Sequence, residues 1–335
     1  MNIIIPMAGM GKRMRPHTLT TAKPLIPIAG KPVVQRLVED IVRTANEKIE
    51  TIAFIIAPTF GKATEDMLLN VAQNLGAKGL ICYQEEALGT AHAILCAKEC
   101  LDGNVFIAFA DTLFKATFTI DTQKDAIIWT QKVADPSAFG VVKLAEGGRI
   151  IEFIEKPPVF VSDLAIIGVY YFKDGANLRK ELEYLIDNDI STKGEFQLTD
   201  AMENMKNKNI EFYCDQVEEW LDCGNKNATV YTNQRILEIK KDTETLIAAS
   251  AIMENSIIIP PCFIGENVVL RNSIVGPHVS IEHDAVLEHV VVSNSMIQES
   301  TQLKYVNLTN SMLGKHIQYK ESPKEISLGD YSVLL

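Results

Sequence analysis

The chain has 335 residues, 32 Lys+Arg against 43 Asp+Glu for a net charge of −11, and 47% apolar residues. That length allows two domains with a large core, the apolar content excludes general disorder, and the acidity argues against a nucleic-acid binder, which needs a broad basic surface. No apolar run approaches the roughly 20 residues of a membrane span, no charged leader precedes the apolar residues 3–8, and six cysteines without CxxC spacing read as reduced thiols, so a cytoplasmic protein is expected.

In chain order, residues 3–6, 51–57, 79–83, 105–110 and 126–130 are short apolar runs of the kind found inside a parallel sheet. Amphipathic stretches at 32–46, 61–75 and 90–101 lie between them, which predicts an open, mostly parallel α/β sheet with right-handed crossovers. Ligands of such sheets collect at the carboxyl ends of the strands, where the loop at Gly9 and the turn at Asp111 fall. Residues 225–242 read as a connecting helix. From about residue 249 the period changes: Ile252, Ile258, Ile264 and Leu270 recur every six residues, and after a small slip so do Ile297 and Leu303, followed by Leu308 and Leu313. A six-residue repeat predicts a triangular β-solenoid, whose exposed faces are open to association. The expected division is a first domain over 1–240, a linker over 241–248 and a repeat domain over 249–335.

The opening segment is the most telling. Its first acidic residue is Glu39, yet Lys12, Arg13, Arg15, Lys23, Lys31 and Arg36 stand before it among glycines and prolines. An acid-free basic loop following an apolar strand is suited to phosphate. A dinucleotide fingerprint would need glycine at Met14 and an acid closing the second strand, where Ala57-Pro58 stands. A Walker loop would need glycine at Pro6 and a hydroxyl at Arg13. Both fail. What remains is Gly9-x-Gly11-x-Arg13, then Lys23-Pro24-Leu25, Pro27 and Gly30-Lys31-Pro32. Glycines let backbone N–H groups approach phosphate oxygens, arginine offers a planar fork and lysine a point charge, and the prolines stiffen the segment that carries Lys23.

This segment resembles the sugar-1-phosphate nucleotidylyltransferases (nucleoside diphosphate sugar pyrophosphorylases), above all their glucose-1-phosphate thymidylyl- and uridylyl-transferring members. Gln84 with Leu88-Gly89-Thr90-Ala91 resembles the family's base-recognition segment, and Phe109-Ala110-Asp111 its metal-holding strand end, with Ala110 in place of the usual glycine. Phe139-Gly140-Val141-Val142, Glu155-Lys156-Pro157 and Ala165-Ile166-Ile167-Gly168-Val169-Tyr170 resemble its sugar-pocket segments. Gly194-Glu195-Phe196-Gln197-Leu198-Thr199-Asp200 and Trp220-Leu221-Asp222-Cys223-Gly224 complete the set. Met10, Lys12, Ala22 and Asp163 depart from the common pattern without removing a charge that the chemistry requires.

The resemblance implies a Rossmann-like nucleotidyltransferase domain followed by a left-handed parallel β-helix of hexapeptide repeats. Ala8, Gly9, Gly11, Lys12, Gln84, Gly89 and Thr90 would bind the nucleotide. Gly140, Glu155, Lys156 and Gly168 would bind the sugar, Asp111 and Asp222 would hold Mg²⁺, and Arg13, Lys23 and Lys156 would act on the phosphates. The substrates would be an NTP (dTTP or UTP) and a sugar 1-phosphate (glucose 1-phosphate), the products an NDP-sugar and pyrophosphate, and the protein a homo-oligomer. A non-catalytic subunit that senses nucleotide sugars is the alternative. His92, at a helix start, reads as packing or capping. The late His278, His283 and His289 invite comparison with hexapeptide-repeat acyltransferases, but the array ends near residue 320 with no cofactor-binding extension.

Overall fold

The computed structural model describes residues 1–45, 47–115, 120–322 and 324–333. Four of the apolar runs are neighbouring parallel strands: β1 (Asn2–Pro6), β2 (Thr51–Ile56), β3 (Lys78–Tyr83) and β4 (Val105–Ala108), in the order β3-β2-β1-β4. Helices α1 (Val33–Thr44), α2 (Lys62–Asn74) and α3 (Thr90–Leu95) lie between them in sequence. The stripe Val33, Val34, Leu37, Val38 and Ile41 of α1 is buried, as its helical spacing requires. Asn46, the last residue of the first expected helix, lies outside the described residues. Ile3, Ile4 and Ile5 are wholly buried because the central strand β1 is covered on both faces.

Beyond β4 the sheet changes character. After β5 (Thr112–Lys115) come β6 (Ala126–Lys132), β7 (Gly140–Leu144), β8 (Ile150–Glu155) and β9 (Leu164–Phe172). Helices α4 (Gly175–Asp187) and α5 (Leu198–Asn207), then β10 (Phe212–Gln216) and β11 (Glu219–Asp222), follow. Strand β9 runs antiparallel to β4, β6 and β7, and β10 joins β6 in parallel, making nine strands among the described residues. The run at 126–130, expected among the parallel strands, keeps their direction, because β9 is antiparallel both to it and to β4, and it lies between antiparallel β9 and parallel β10. Strand β5 leaves the sheet to pair antiparallel with β11.

The chain divides by contacts into two units, residues 1–26 with 31–225, and 27–30 with 226–335. Helix α6 (Lys226–Lys240), read from the sequence as the end of the first domain, groups with the repeat array. Residues 27–30 join it because the Ala29 N–H donates to Asn233 of α6, and Gly30 lies so close to the Phe263 ring that a Cβ would meet it at 2.3 Å.

The repeat unit is a left-handed parallel β-helix whose described residues form three sheets of parallel strands, five, four and four in number. Ile252 pairs with Val269 and Val269 with Val286, a coil of 17 residues. Val286 pairs with Gln302 and Gln302 with Gln318, a coil of 16. Leu270, Leu287 and Leu303 stack inward, beside Ile264, Ile281 and Ile297 on another wall. A coil of 17 residues, one short of three sixes, corrects one expectation. Counting by six places Ile252 above Leu270, but the residue in register with Leu270 is Met253, and Ile252 is 49% exposed. Buried hydroxyls close the turns: Ser273 Oγ donates to Arg271 O and accepts from Val290 N, and Ser295 Oγ does the same with Ser293 O and Ser311 N.

Candidate active site

Two cavities lie side by side at the carboxyl ends of β1 and β4. The first, about 490 Å³, is lined by Ala8, Gly9, Gly11, Lys12, Lys23, Gln84, Gly89 and Thr90 among others. The second, about 290 Å³, is lined by Gly140, Glu155, Lys156, Gly168, Trp220 and Asp222 among others. Arg13, Thr90, Phe109, Asp111 and Glu195 line both.

The loop after β1 is closed on itself, Thr18 Oγ1 donating to Gly11 O at 2.7 Å. Gly11 has φ +81°, and a Cβ there would lie 2.7 Å from the Lys23 Cβ. The lysine stem thus occupies the space that the glycine leaves. Lys23 opens a 3₁₀ turn with Pro24 behind it, is only 8% exposed, and places Nζ 2.7 Å from Asp111 Oδ2. The opening cations separate by destination: Lys12, Arg13 and Lys23 line the first cavity, Lys31 pairs with Glu39 at 2.8 Å, and Arg36 is buried on α1.

Asp111 and Asp222 come from segments distant in sequence. Pairing of β5 with β11 sets Thr112 opposite Asp222, and the Cys223 N–H donates to Asp111 O at 3.0 Å. Asp222 Oδ1 accepts from the Gly224 N–H at 2.9 Å. Burial raises the Asp222 carboxyl above the ordinary carboxylate range and the Asp111 charge adds to it, while Lys23, the Gly224 N–H and Arg13 oppose the rise.

At the first cavity, Gly89 has φ +116° and packs against backbone; a Cβ would stand 2.4 Å from Phe196 O. Thr90 Oγ1 donates to Gln197 Oε1 and accepts from Leu198 N–H, so its hydroxyl is engaged within the protein. Gln84 Nε2 reaches Gly89 O at 3.4 Å and His92 Nδ1 at 3.3 Å. At the second cavity, Glu155 accepts from Thr199 Oγ1 at 3.3 Å and faces Lys156 Nζ at 3.4 Å. Gly168 sits where the register of β9 slips between Ile166 and Tyr170. That bulge turns Ile167 O toward Thr112 Oγ1 and Gly168 O toward the Phe109 N–H.

Residues 2–239 match the model of the family described as nucleotidyl transferase. The chain belongs to that family. Nucleotidyl transfer is therefore its class of chemistry. It is 27% identical to a glucose-1-phosphate thymidylyltransferase of Streptomyces griseus, over 99% of this chain and 98% of that one. It is 29% identical to the bifunctional protein GlmU of Methanocaldococcus jannaschii, over 77% of this chain and 60% of that one. In fold it resembles a UDP-glucose pyrophosphorylase solved with UDP-glucose, at 22% identity and a TM-score of 0.58, over 71% of this chain and 98% of that one.

A nucleotidyl transferase must manage several phosphate charges at once, a task that suits a divalent cation. Among the described residues no group of three or more His, Cys, Asp and Glu forms a closed metal cage. Asp111 and Asp222, the latter disfavoured as an anion by burial and by the Asp111 charge, form a donor pair that would suit a hard divalent cation such as Mg²⁺.

Several lining residues went unassigned in the sequence. Glu195 and Gln197 are joined at 2.8 Å, and Gln197 ties to Thr90, linking the walls of the two cavities. Trp220 lines the second cavity and packs edge-on against Phe139 at 5.3 Å. Their motifs were visible, but only the folded chain brings them beside Thr90 and Gly140. His92, read as packing or capping, touches Gln84. Asp163 lines neither cavity; its carbonyl accepts from the Val133 N–H.

Proposed function

We propose that this transferase joins a nucleoside triphosphate, dTTP or UTP, to a sugar 1-phosphate, with glucose 1-phosphate the favoured partner, giving an NDP-sugar and pyrophosphate. The observation that carries the reading is that Arg13 and Asp111 line both cavities, so the two substrates would meet between them. The relatives' names support the sugar 1-phosphate and a pyrimidine base. The protein would work in the cytoplasm, where its six free cysteines stay reduced.

A sugar 1-phosphate is ionised at neutral pH, so its attacking oxygen needs no general base. That oxygen bonds to the α-phosphorus, the bridge from the α-phosphorus to the β-phosphate oxygen breaks, and pyrophosphate departs with the electron pair. The obstacle is repulsion between anions, which positioning and fixed positive charge overcome. Gly9 and Gly11 would let backbone N–H groups close on the triphosphate, and Arg13 would draw charge toward the departing pyrophosphate. Lys23, held by Asp111, would face the α-phosphate, and Lys156 the incoming sugar phosphate. Glu155, braced by Thr199, and the backbone at Gly140 and Gly168 would bind sugar hydroxyls. Mg²⁺ held by Asp111 and Asp222 would supply Lewis-acid neutralisation of the phosphates. A homo-oligomer belongs to the same reading, because Ile257, Ile274 and Val291 stand in one exposed column of the β-helix.

Pyrophosphate release from dTTP or UTP with a panel of hexose 1-phosphates and Mg²⁺ tests the reaction. Release with glucose 1-phosphate is expected, and silence with every NTP and sugar would remove the catalytic reading. Light scattering at the monomer mass would remove the oligomer.

A further inference from the structure

Gln84 faces the first cavity, and its amide could present either an acceptor or a donor to a bound base. Gly89 O can only accept, and it lies 3.4 Å from Gln84 Nε2, so the NH₂ group must point toward Gly89. The same nitrogen is 3.3 Å from His92 Nδ1, which must therefore be the unprotonated, accepting nitrogen of the ring. With both donors of Nε2 directed at the protein, Oε1 is left without a partner among the described residues. His92 is the fourth residue after Leu88 and the third of α3. It thus rides on the helix whose start Gly89 fixes against Phe196.

We infer that His92 is a positioning residue for base selection: by holding the Gln84 amide in one orientation it makes Oε1 the group offered to the base. An acceptor at that point suits uracil or thymine, which carry a donor at N3, and opposes cytosine, whose N3 is itself an acceptor. An inverted amide would reverse that preference. The inference rests on the nucleotide assignment proposed above and adds the means by which its base is chosen.

The test compares wild type, His92→Leu, which removes the acceptor, and His92→Asn, whose Oδ1 replaces Nδ1. Binding of UTP, dTTP and CTP is measured by calorimetry, and KM and kcat by pyrophosphate release. Loss of one hydrogen bond that sets the amide should cut the preference for UTP over CTP about tenfold. The change should appear in Kd and KM with kcat nearly unmoved, and His92→Asn should restore most of it. His92→Gln, whose longer side chain displaces the acceptor, replaces the leucine variant if that one does not fold. In a Gln84→Ala background, loss of His92 should have no further effect on base preference.

Equal weakening of UTP and CTP, a fall in kcat alone, or an asparagine variant no better than the leucine one would overturn the inference and leave His92 as packing. A wild-type protein that prefers UTP in binding yet releases no pyrophosphate would sink the transferase reading, while the Kd series still decides the role of His92. A wild type that binds none of these nucleotides would overturn both.

Discussion

Left-handed backbone is used in two ways in the two units. In the transferase unit the site residues Gly11, Gly89, Gly168 and Lys156 all have positive φ, and each occurs once. At Gly11 and Gly89 a remote segment imposes the conformation: the Lys23 stem on one, the Phe196 backbone on the other. In the β-helix the same region of φ is occupied by columns of non-glycine residues. Asn255, Asn272, His289 and Tyr305 form one corner, and Asn267, Asp284, Ser300 and His316 another. There the residue one coil away supplies the compensation. Asn255 donates to Asn272 at 2.7 Å, Asn267 to Asp284 at 3.0 Å, and the His289 and Tyr305 rings stack at 4.9 Å. Strain met by a unique long-range contact has no substitute, whereas strain met by a repeated neighbour is shared along the column.

The widest separation should appear in turnover. Arg13→Ala should lower kcat about 10²–10³-fold, the usual cost of one fixed charge-stabilising donor, with little change in thermal stability because Arg13 is exposed. A loss confined to KM would place Arg13 in ground-state binding instead. Gly89→Ala comes next. It forces a Cβ to 2.4 Å from Phe196 O at φ +116°, a conflict with backbone that no rotamer relieves. A loss of about 2–3 kcal/mol is expected from the backbone strain alone, together with a higher KM for nucleotide. If thermal unfolding is unchanged, the single-use account of this glycine is wrong.

Asp222→Asn should separate function from stability. The folded protein raises the Asp222 carboxyl, so folding favours its protonated form. This group's contribution to stability is therefore lost as pH rises from the ordinary carboxylate range through the raised value, and at neutral pH the ionised form is a liability. A neutral asparagine removes the liability, so the unfolding midpoint at neutral pH should hold or rise by a few degrees while turnover falls. For the wild type alone, added Mg²⁺ should raise the midpoint if the two aspartates hold it. A lower midpoint for Asp222→Asn would mean that the carboxylate is structurally required.

Where each part of the molecule was legible follows the same division. The opening strand and the cavity-lining loop after it could be read because an apolar run that ends in glycines, prolines and cations free of any acid marks itself in local sequence. The solenoid announced itself by period, although a coil of 17 or 16 residues slides against a count of six and put Ile252 where Met253 belongs. The antiparallel strand inserted beyond β4 was not legible: Ala126–Lys132 is buried along most of its length and looks the same whether its neighbour runs with it or against it. The contact between Gln84 and His92 was hidden for a different reason. A histidine near a helix start has a local explanation, and only the turn of chain at Gly89 brings it back to the end of β3.

The smallest effect tests the comparison from the repeated side. Asn272 has φ +48°, accepts from Asn255 across the coils, and lies far along the chain from the transferase motifs. Asn272→Ala loses an exposed hydrogen bond and sets a side chain poorly suited to left-handed backbone at the corner, for a combined cost of about 1–2 kcal/mol. Asn272→Gly loses the same bond but relieves the backbone, so it should lie nearer to wild type in thermal unfolding, and neither should alter kcat. If the two variants are equally destabilised, the value of the column lies in its side-chain bonds and not in asparagine's tolerance of the corner. If alanine costs as much here as at Gly89, repetition gives no protection, and the distinction between the two units fails at its weaker end.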